Sequence, residues 1–416
     1  MGSDDDTRRC GFAPSAVGGH ARRLCRRRFA ALLPAVVVAI TSCAGVPHVA
    51  PPLAGAPGAA APAGPAPAPV VDGLPGMPPV LDPRNIYSAT GPTMFTDAAK
   101  AAKPLVYVPH TKSGDVWVID PARLAVVARY ELGGELQHVV PSYDMKTLYA
   151  TDDITNKMTP FDPRTGEPGP NIPVQDPYNM YFTPDGRTAI SVAEAQKRLV
   201  FYDPHTWQEQ GDLPTPDCAG IDHADFTADG RTAVFSCEFA GRVAVVDVAS
   251  RRLLRMIDMP VRNTTMGPQD VKLAPDGSVF YVADSEQNGL WVLDGAATKV
   301  LREIPTGHGA HGLYLSRDAQ RMFVTNRHEG SISVLDAYTG APITKWWIPG
   351  GSPDMGNVTP DGRQLWLSGR YDRAVYVIDT TDGRLIHTFR VGHGPHGLCV
   401  WPQPGRYSLG HTGITR

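Results

Sequence analysis

Residues 357–379 read NVTPDGRQLWLSGRYDRAVYVID, and two signals in that stretch decide the fold. The turn Pro360-Asp361-Gly362 stands between two apolar runs, where Asp and Gly tolerate the backbone angles of a tight β-hairpin. Farther along, an apolar run ends in aspartate, Val377-Ile378-Asp379. Both signals recur up the chain. Turns of the same kind occur at Pro184-Asp185-Gly186, Ala228-Asp229-Gly230 and Pro275-Asp276-Gly277, with looser versions at Tyr143-Asp144 and Arg317-Asp318. Apolar runs close at Asp120, Asp162, Asp203, Asp247, Asp294, Asp336 and Asp379, seven copies spaced 41 to 47 residues apart.

One repeat therefore holds an inner strand, the hairpin turn, a second strand, a longer loop, the strand ending in aspartate, a turn such as Tyr338-Thr339-Gly340, and an outer strand. No segment sustains a helical period, so the reading is all-β. A four-stranded unit of this length is the blade of a β-propeller. One blade alone exposes two apolar faces, and packing blades around an axis buries both. The first marked unit lacks an inner strand ahead of Leu105, while the chain carries an unpartnered one from His396 to Trp401. Joining the two closes a ring and leaves few strand edges free. The expectation is a seven-bladed β-propeller over residues 104–402, closed by its N- and C-terminal strands. An extension over 81–103 precedes it, and residues 403–416 follow as a tail or an extra strand.

Phe323-Val324-Thr325-Asn326, Tyr281-Val282-Ala283-Asp284 and Tyr149-Ala150-Thr151-Asp152 each follow the hairpin turn and precede the strand that ends in aspartate. They resemble the YVTN repeat of the YncE-like propeller family, over roughly residues 104 to 402. The resemblance implies the propeller fold. It does not select a function, because that family and its relatives include surface-layer and lipoprotein modules, cofactor-bearing oxidoreductase subunits and lactonase-like enzymes.

In a propeller, the loop leading into each inner strand and the loop joining the second and third strands emerge on one face, around the mouth of the central channel. Counting back from each hairpin puts Gln137-His138, Tyr178-Asn179, Asp222-His223, Gln269-Asp270, His311, Asp354 and His396 at the heads of the inner strands. His308 and His393 lie in the loops before two of them, and the other loops of this face add His110, Glu238, Arg327, His328 and Arg370. The ligand-binding set is taken as His138, His223, Asp270, His308, His311, Asp354, His393 and His396. Imidazoles and carboxylates converging there suit a divalent or transition metal ion, or a small polar molecule, and a histidine beside a carboxylate can act as general base. A structural reading competes. Relatives carry a Pro-His-Gly-like sequence at this position, where an imidazole can simply bond a neighbouring blade or channel water. If these side chains point away from the axis, only the fold survives. The seven terminal aspartates are assigned to turns, and Trp117, Trp291 and Trp366 to blade interfaces.

The first residues read as an export signal. Arg22, Arg23, Arg26, Arg27 and Arg28 precede an apolar run from Phe29 to Ile40. Arg26-Arg27-Arg28-Phe29 resembles a twin-arginine pattern, and Ile40-Thr41-Ser42-Cys43 a lipobox with Cys43 as the lipidated residue. The alternative is an ordinary secretory signal with a chance cysteine. Residues 1–43 are thus the signal and 44–80 an Ala/Pro/Gly-rich disordered linker, a tether to the outer side of the cytoplasmic membrane if the chain is not secreted. Residues 1–42 carry a net charge of +4, so the remainder moves from −3 to −7, which disfavours binding to nucleic acid. Cys218 and Cys237 fall in loops of one face, compatible with a disulfide or with two free thiols. No Cys-x-x-Cys-His, P-loop, Gly-x-Ser-x-Gly or His-Glu-x-x-His motif occurs, so covalent haem is not expected. Three functional readings remain. The first is a binding or scaffold module meeting a protein or small-molecule partner at the channel face. The alternative is a metal- or cofactor-dependent enzyme, lactonase-like or an oxidoreductase. A structural surface protein without a site is the third.

Overall fold

The computed structural model describes residues 71–416; the export signal, Cys43 and most of the expected linker lie outside the described residues. Seven antiparallel sheets follow one another along the chain. We call them blades 1 to 7. Their inner strands are Leu105–Pro109, Leu136–Pro141, Pro177–Phe182, Ile221–Phe226, Pro268–Leu273, Ala310–Leu315 and Pro353–Val358, except that blade 1 gains a further innermost strand, Cys399–Trp401. That strand pairs with the first, Val106 opposite Val400, and closes the ring.

The apolar core is divided into seven clusters, each shared by two adjacent blades. In Val279–Asp284, Phe280 and Val282 pack toward blade 4 while Tyr281 and Ala283 pack toward blade 6. The two-residue period of a strand thus feeds two interfaces at once, which is why the sequence is continuously apolar instead of alternating. Trp366 is fully buried between blades 7 and 1. Terminal aspartates hold turns as expected: Asp120 accepts the backbone N–H of Ala122 and Arg123, and Asp336 those of Tyr338 and Thr339.

Four details differ from the sequence reading. Blade 2 has no continuous outer strand, only Glu167–Pro168 and Ile172–Pro173, because prolines there cannot donate to a ladder. The linker expected to run to residue 80 gives way earlier to packed chain: Leu74 is buried and its N–H bonds Asp229 O at 2.7 Å. The extension carries one short helix, Asp97–Ala101, capped by Thr96. Residues 403–416 are neither a blade strand nor a solvated tail. They fold back as a narrow hairpin, Ser408 opposite Thr415, and enter the channel from the end where the Asp-Gly turns lie. Among the described residues, no helix is long and apolar enough to cross a membrane.

Candidate functional site

The heads of the inner strands are shaped by a repeated irregularity. Register shifts fall between Leu136 and Val139, Ile221 and Ala224, Pro268 and Val271, Ala310 and Leu313, and Pro353 and Gly356. Such a bulge frees a backbone N–H, and in four blades a hydroxyl on the second strand takes it. Thr151 Oγ1 accepts from His138 N at 3.1 Å, Ser236 Oγ from His223 N at 3.0 Å, Thr325 Oγ1 from Gly312 N at 2.7 Å and Ser368 Oγ from Met355 N at 3.2 Å. The Thr of the Tyr-Val-Thr-Asn-like stretch therefore supports the residues that line the axis. Each such bond contributes about 1 kcal/mol net, and its loss would leave a buried N–H unpaired.

Histidines from different blades meet on that axis. The ring centroids of His138 and His396 are 4.8 Å apart, those of His138 and His223 5.4 Å, those of His223 and His311 6.0 Å, and those of His311 and His396 6.3 Å. All four side chains are buried. A fifth comes from the inserted hairpin: His411 lies 4.7 Å from His223 and 5.5 Å from His138, centroid to centroid. Below His411 the channel is filled. Arg416 donates to Asp225 Oδ1 and Phe226 O, each at 2.7 Å, and Asn357 Nδ2 donates to Thr412 O and Gly413 O at 3.2 Å. Tyr87 of the N-terminal extension closes over this end, its hydroxyl 3.0 Å from Leu273 O. A void of about 50 Å³ remains beside the hairpin, near Lys272 and Tyr314. The hairpin and Tyr87 therefore plug this end of the channel; we call the opposite mouth, where Tyr178, Glu194, Glu238 and Arg370 are partly exposed, the cup.

The cup wall holds polar atoms that nothing in the protein satisfies. His311 Nδ1, Asp354 Oδ2, both carboxylate oxygens of Asp222, Arg327 Nε and Arg370 Nη1 are buried without a hydrogen-bond partner, as is Nε2 of His138, His223 and His411. Some are near one another without being aligned to bond: Asp222 Oδ1 sits 3.0 Å from His223 Nε2, and Asp354 Oδ1 3.1 Å from His311 Nδ1. Native interiors rarely leave such groups unpaired, so their concentration here sets this layer apart from the rest of the core.

Electrostatics follow from the burial. Burial pushes His138 down to about 3 and holds His223, His311, His396 and His411 well below the ordinary histidine value, with Arg327, Arg370 or a neighbouring imidazole adding to the effect. All five are neutral near pH 7, the form that offers a ring nitrogen lone pair. Burial pushes Asp270 up to about 6 and Glu194 up to about 7, in the latter case assisted by Glu238, Asp176 and Asp153. Asp222 is raised well above its usual range by burial and by Glu238 and Glu194. Asp354 is raised by burial while Arg327 opposes the shift. Carboxylates held in this way gain from any cation placed among them.

Of the residues expected to bind, His138, His223, His311, His396, Asp270 and Asp354 face the axis. His308 and His393 do not join them. Both are exposed on the rim, their backbones tied to the adjacent loop, His308 O accepting from His328 N and His393 N donating to Ser113 Oγ. His308 instead neighbours His328, which stacks on Tyr371 at 5.5 Å. His411 was not foreseen, although Gly410-His411 shares the glycine-preceded histidine of Gly307-His308 and Gly392-His393. The sequence puts Asn179 at a strand head and gives it no partner, yet its Nδ2 lies 3.1 Å from His223 Nδ1 and 2.9 Å from His411 Nδ1. Cys218 and Cys237 form a disulfide with Cα atoms 4.9 Å apart, tying the loop ahead of the blade 4 inner strand to its second strand; Cys399 is free and buried.

Comparison with known proteins agrees with this architecture. A structure described as Kuenenia stuttgartiensis hydrazine synthase is similar at a TM-score of 0.57 and 16% identity, covering 70% of this chain and 98% of that one. A functionally unknown protein from Desulfotomaculum acetoxidans aligns at 0.58 and 15%, covering 72% and 99%. Dihydro-heme d1 dehydrogenase NirN in complex with DHE aligns at 0.55 and 17%, covering 75% and 77%. At such identities these likenesses speak for the fold alone. No curated protein matches the sequence. The model of the YNCE-like beta-propeller matches residues 74–404, from the first packed residues of the extension to the closing strand and just beyond it, and the chain belongs to that family.

Proposed function

We propose that this protein is an extracytoplasmic binding module, tethered through Cys43, that holds a small polar ligand in the cup at the channel mouth. One observation carries the reading: buried atoms of Asp222, His311, Asp354 and Arg370, on strand heads and a loop of one face, have no hydrogen-bond partner. Donors and acceptors are both among them, so the ligand carries both kinds of group. Export and the tether are supported by the order of basic run, apolar run and cysteine in the first 43 residues.

The test weighs the full chain, extracted from the envelope in mild detergent, by native mass spectrometry. The expected result is a polypeptide beginning at a lipid-modified Cys43, with a small molecule that leaves on denaturation. Cys43→Ser should release the protein from the membrane fraction, and Arg370→Ala should reduce the small molecule by roughly tenfold or more, the scale of losing one charged hydrogen bond. A bare polypeptide in both forms would count against the cup as a binding site. A catalytic reading of the same mouth, as a hydrolase or oxidoreductase, is favoured by the Asp222 carboxylate standing 3.0 Å from His223 Nε2 as a base would.

A further inference from the structure

We propose that His138, His223 and His411 form a three-histidine site for a late first-row transition metal ion such as Zn(II), with the third ligand carried into the channel by the C-terminal hairpin. The proposal deepens the reading of the cup as a binding site and rests on it. Each residue can offer one ring nitrogen, and these three atoms lie within 4.8 Å of one another. They come from blade 2, blade 4 and the inserted hairpin, so only the closed fold assembles them. In a tetrahedral site with metal–nitrogen bonds of about 2.0–2.1 Å, ligand nitrogens stand about 3.3 Å apart. Binding therefore draws the rings inward by about 1 Å, a shift that χ rotation can supply.

The surroundings have the form of a metal site's outer layer. His138 Nδ1 donates to Tyr178 O at 2.8 Å, which fixes its proton there and leaves the lone pair on Nε2. Asn179 governs the other two. As placed, its Oδ1 accepts from Met180 N at 2.8 Å and its Nδ2 faces Nδ1 of both His223 and His411. That arrangement puts the lone pairs of these imidazoles on Nδ1 and their protons on Nε2. Were the amide turned over, Oδ1 would accept a proton from each Nδ1 and leave both Nε2 lone pairs free for a metal, at the cost of the Met180 N–H bond, which Nδ2 cannot accept. Each neutral imidazole keeps its single proton and only moves it to the other nitrogen, so the exchange releases no proton. Asp222, 3.0 Å from His223 Nε2, stands ready as a fourth ligand or as the partner of a bound water. Asn179 is thus a positioning residue that selects the tautomer of two ligands at once.

The experiment titrates the full chain with Zn(II) against a competing chelator, and with Co(II) for its tetrahedral visible absorption. The parent should take up about one equivalent, with intense Co(II) bands. His223→Ala and His411→Ala should weaken binding by roughly 100-fold or more, while His393→Ala on the rim leaves it unchanged. Asn179 separates a tautomer role from mere packing. Asn179→Asp accepts both Nδ1 protons without turning and should tighten the metal by roughly tenfold, whereas Asn179→Leu should weaken it by roughly 10- to 100-fold. A circular dichroism melt of each variant shows whether it has folded. Metal uptake no stronger in the parent than in folded His411→Ala, or equal in the Asp and Leu variants, would overturn the proposal. The titration uses no small molecule, so the metal site and the cup ligand can fail independently.

Discussion

Asp222 and Asp225 stand on one inner strand, both fully buried, at opposite ends of the channel. Asp225 is surrounded. Its Oδ1 accepts from Arg416 at 2.7 Å and from Phe226 N at 2.8 Å, and its Oδ2 from Leu273 N at 2.9 Å. Neither oxygen of Asp222 has a hydrogen-bond partner. The same residue type, equally buried, is therefore part of a bonded network at one end and left without a partner at the other. The contrast extends to the histidine layer and the plug. Below His411 the hairpin meets the strands with backbone and side-chain bonds, while above it the protein leaves its polar atoms facing one another.

Three changes would break or sharpen this comparison. The largest effect is expected at the plugged end. Asp225→Ala strands the Arg416 guanidinium in the interior and should cost about 3–5 kcal/mol, read as a lower urea midpoint. A cost below about 1 kcal/mol would mean that the plug is not structural. Next comes Glu194, whose carboxyl burial raises from 4.5 to about 7. The folded protein then keeps a proton that the unfolded chain releases, so this group's contribution falls as pH rises from about 4.5 and has fully turned against folding above about 7. Glu194→Gln should therefore match the parent near pH 4.5 and exceed it by roughly 2 kcal/mol at pH 8, in urea titrations at both values. Equal stability at both would show that the fold does not hold this carboxyl's proton. The smallest effect is expected at Asp222. Asp222→Asn should change stability by less than about 1 kcal/mol, or raise it, while weakening whatever the cup holds. A loss as large as that of Asp225→Ala would erase the distinction between the two ends.

Much of the site was legible because a blade is local. Each hairpin turn fixes the position of the inner-strand head before it, so counting along the chain puts His138, His223, His311 and His396 in one ring. The same counting put His308 and His393 in the loops ahead of two strand heads, and there they stay, away from the axis. They precede His311 and His396 by three residues, and the turn at Gly309 or Gly394, with φ of +75° and +67°, leaves the earlier histidine on the rim. Asn179 was visible as a strand head, but its role depends on two rings brought from 44 and 232 residues away.

The sequence by itself determined seven blades, their turns, the closing strand and the axis-facing histidines, because those depend on periodicity and on bonds between neighbours in the chain. Which end of the channel is plugged, the delivery of His411, and the division of buried carboxylates into paired and unpaired were decided only by the tertiary structure. The reason is physical: whether a buried polar atom is satisfied depends on what stands opposite it in space, and here the partner arrives from the far end of the chain.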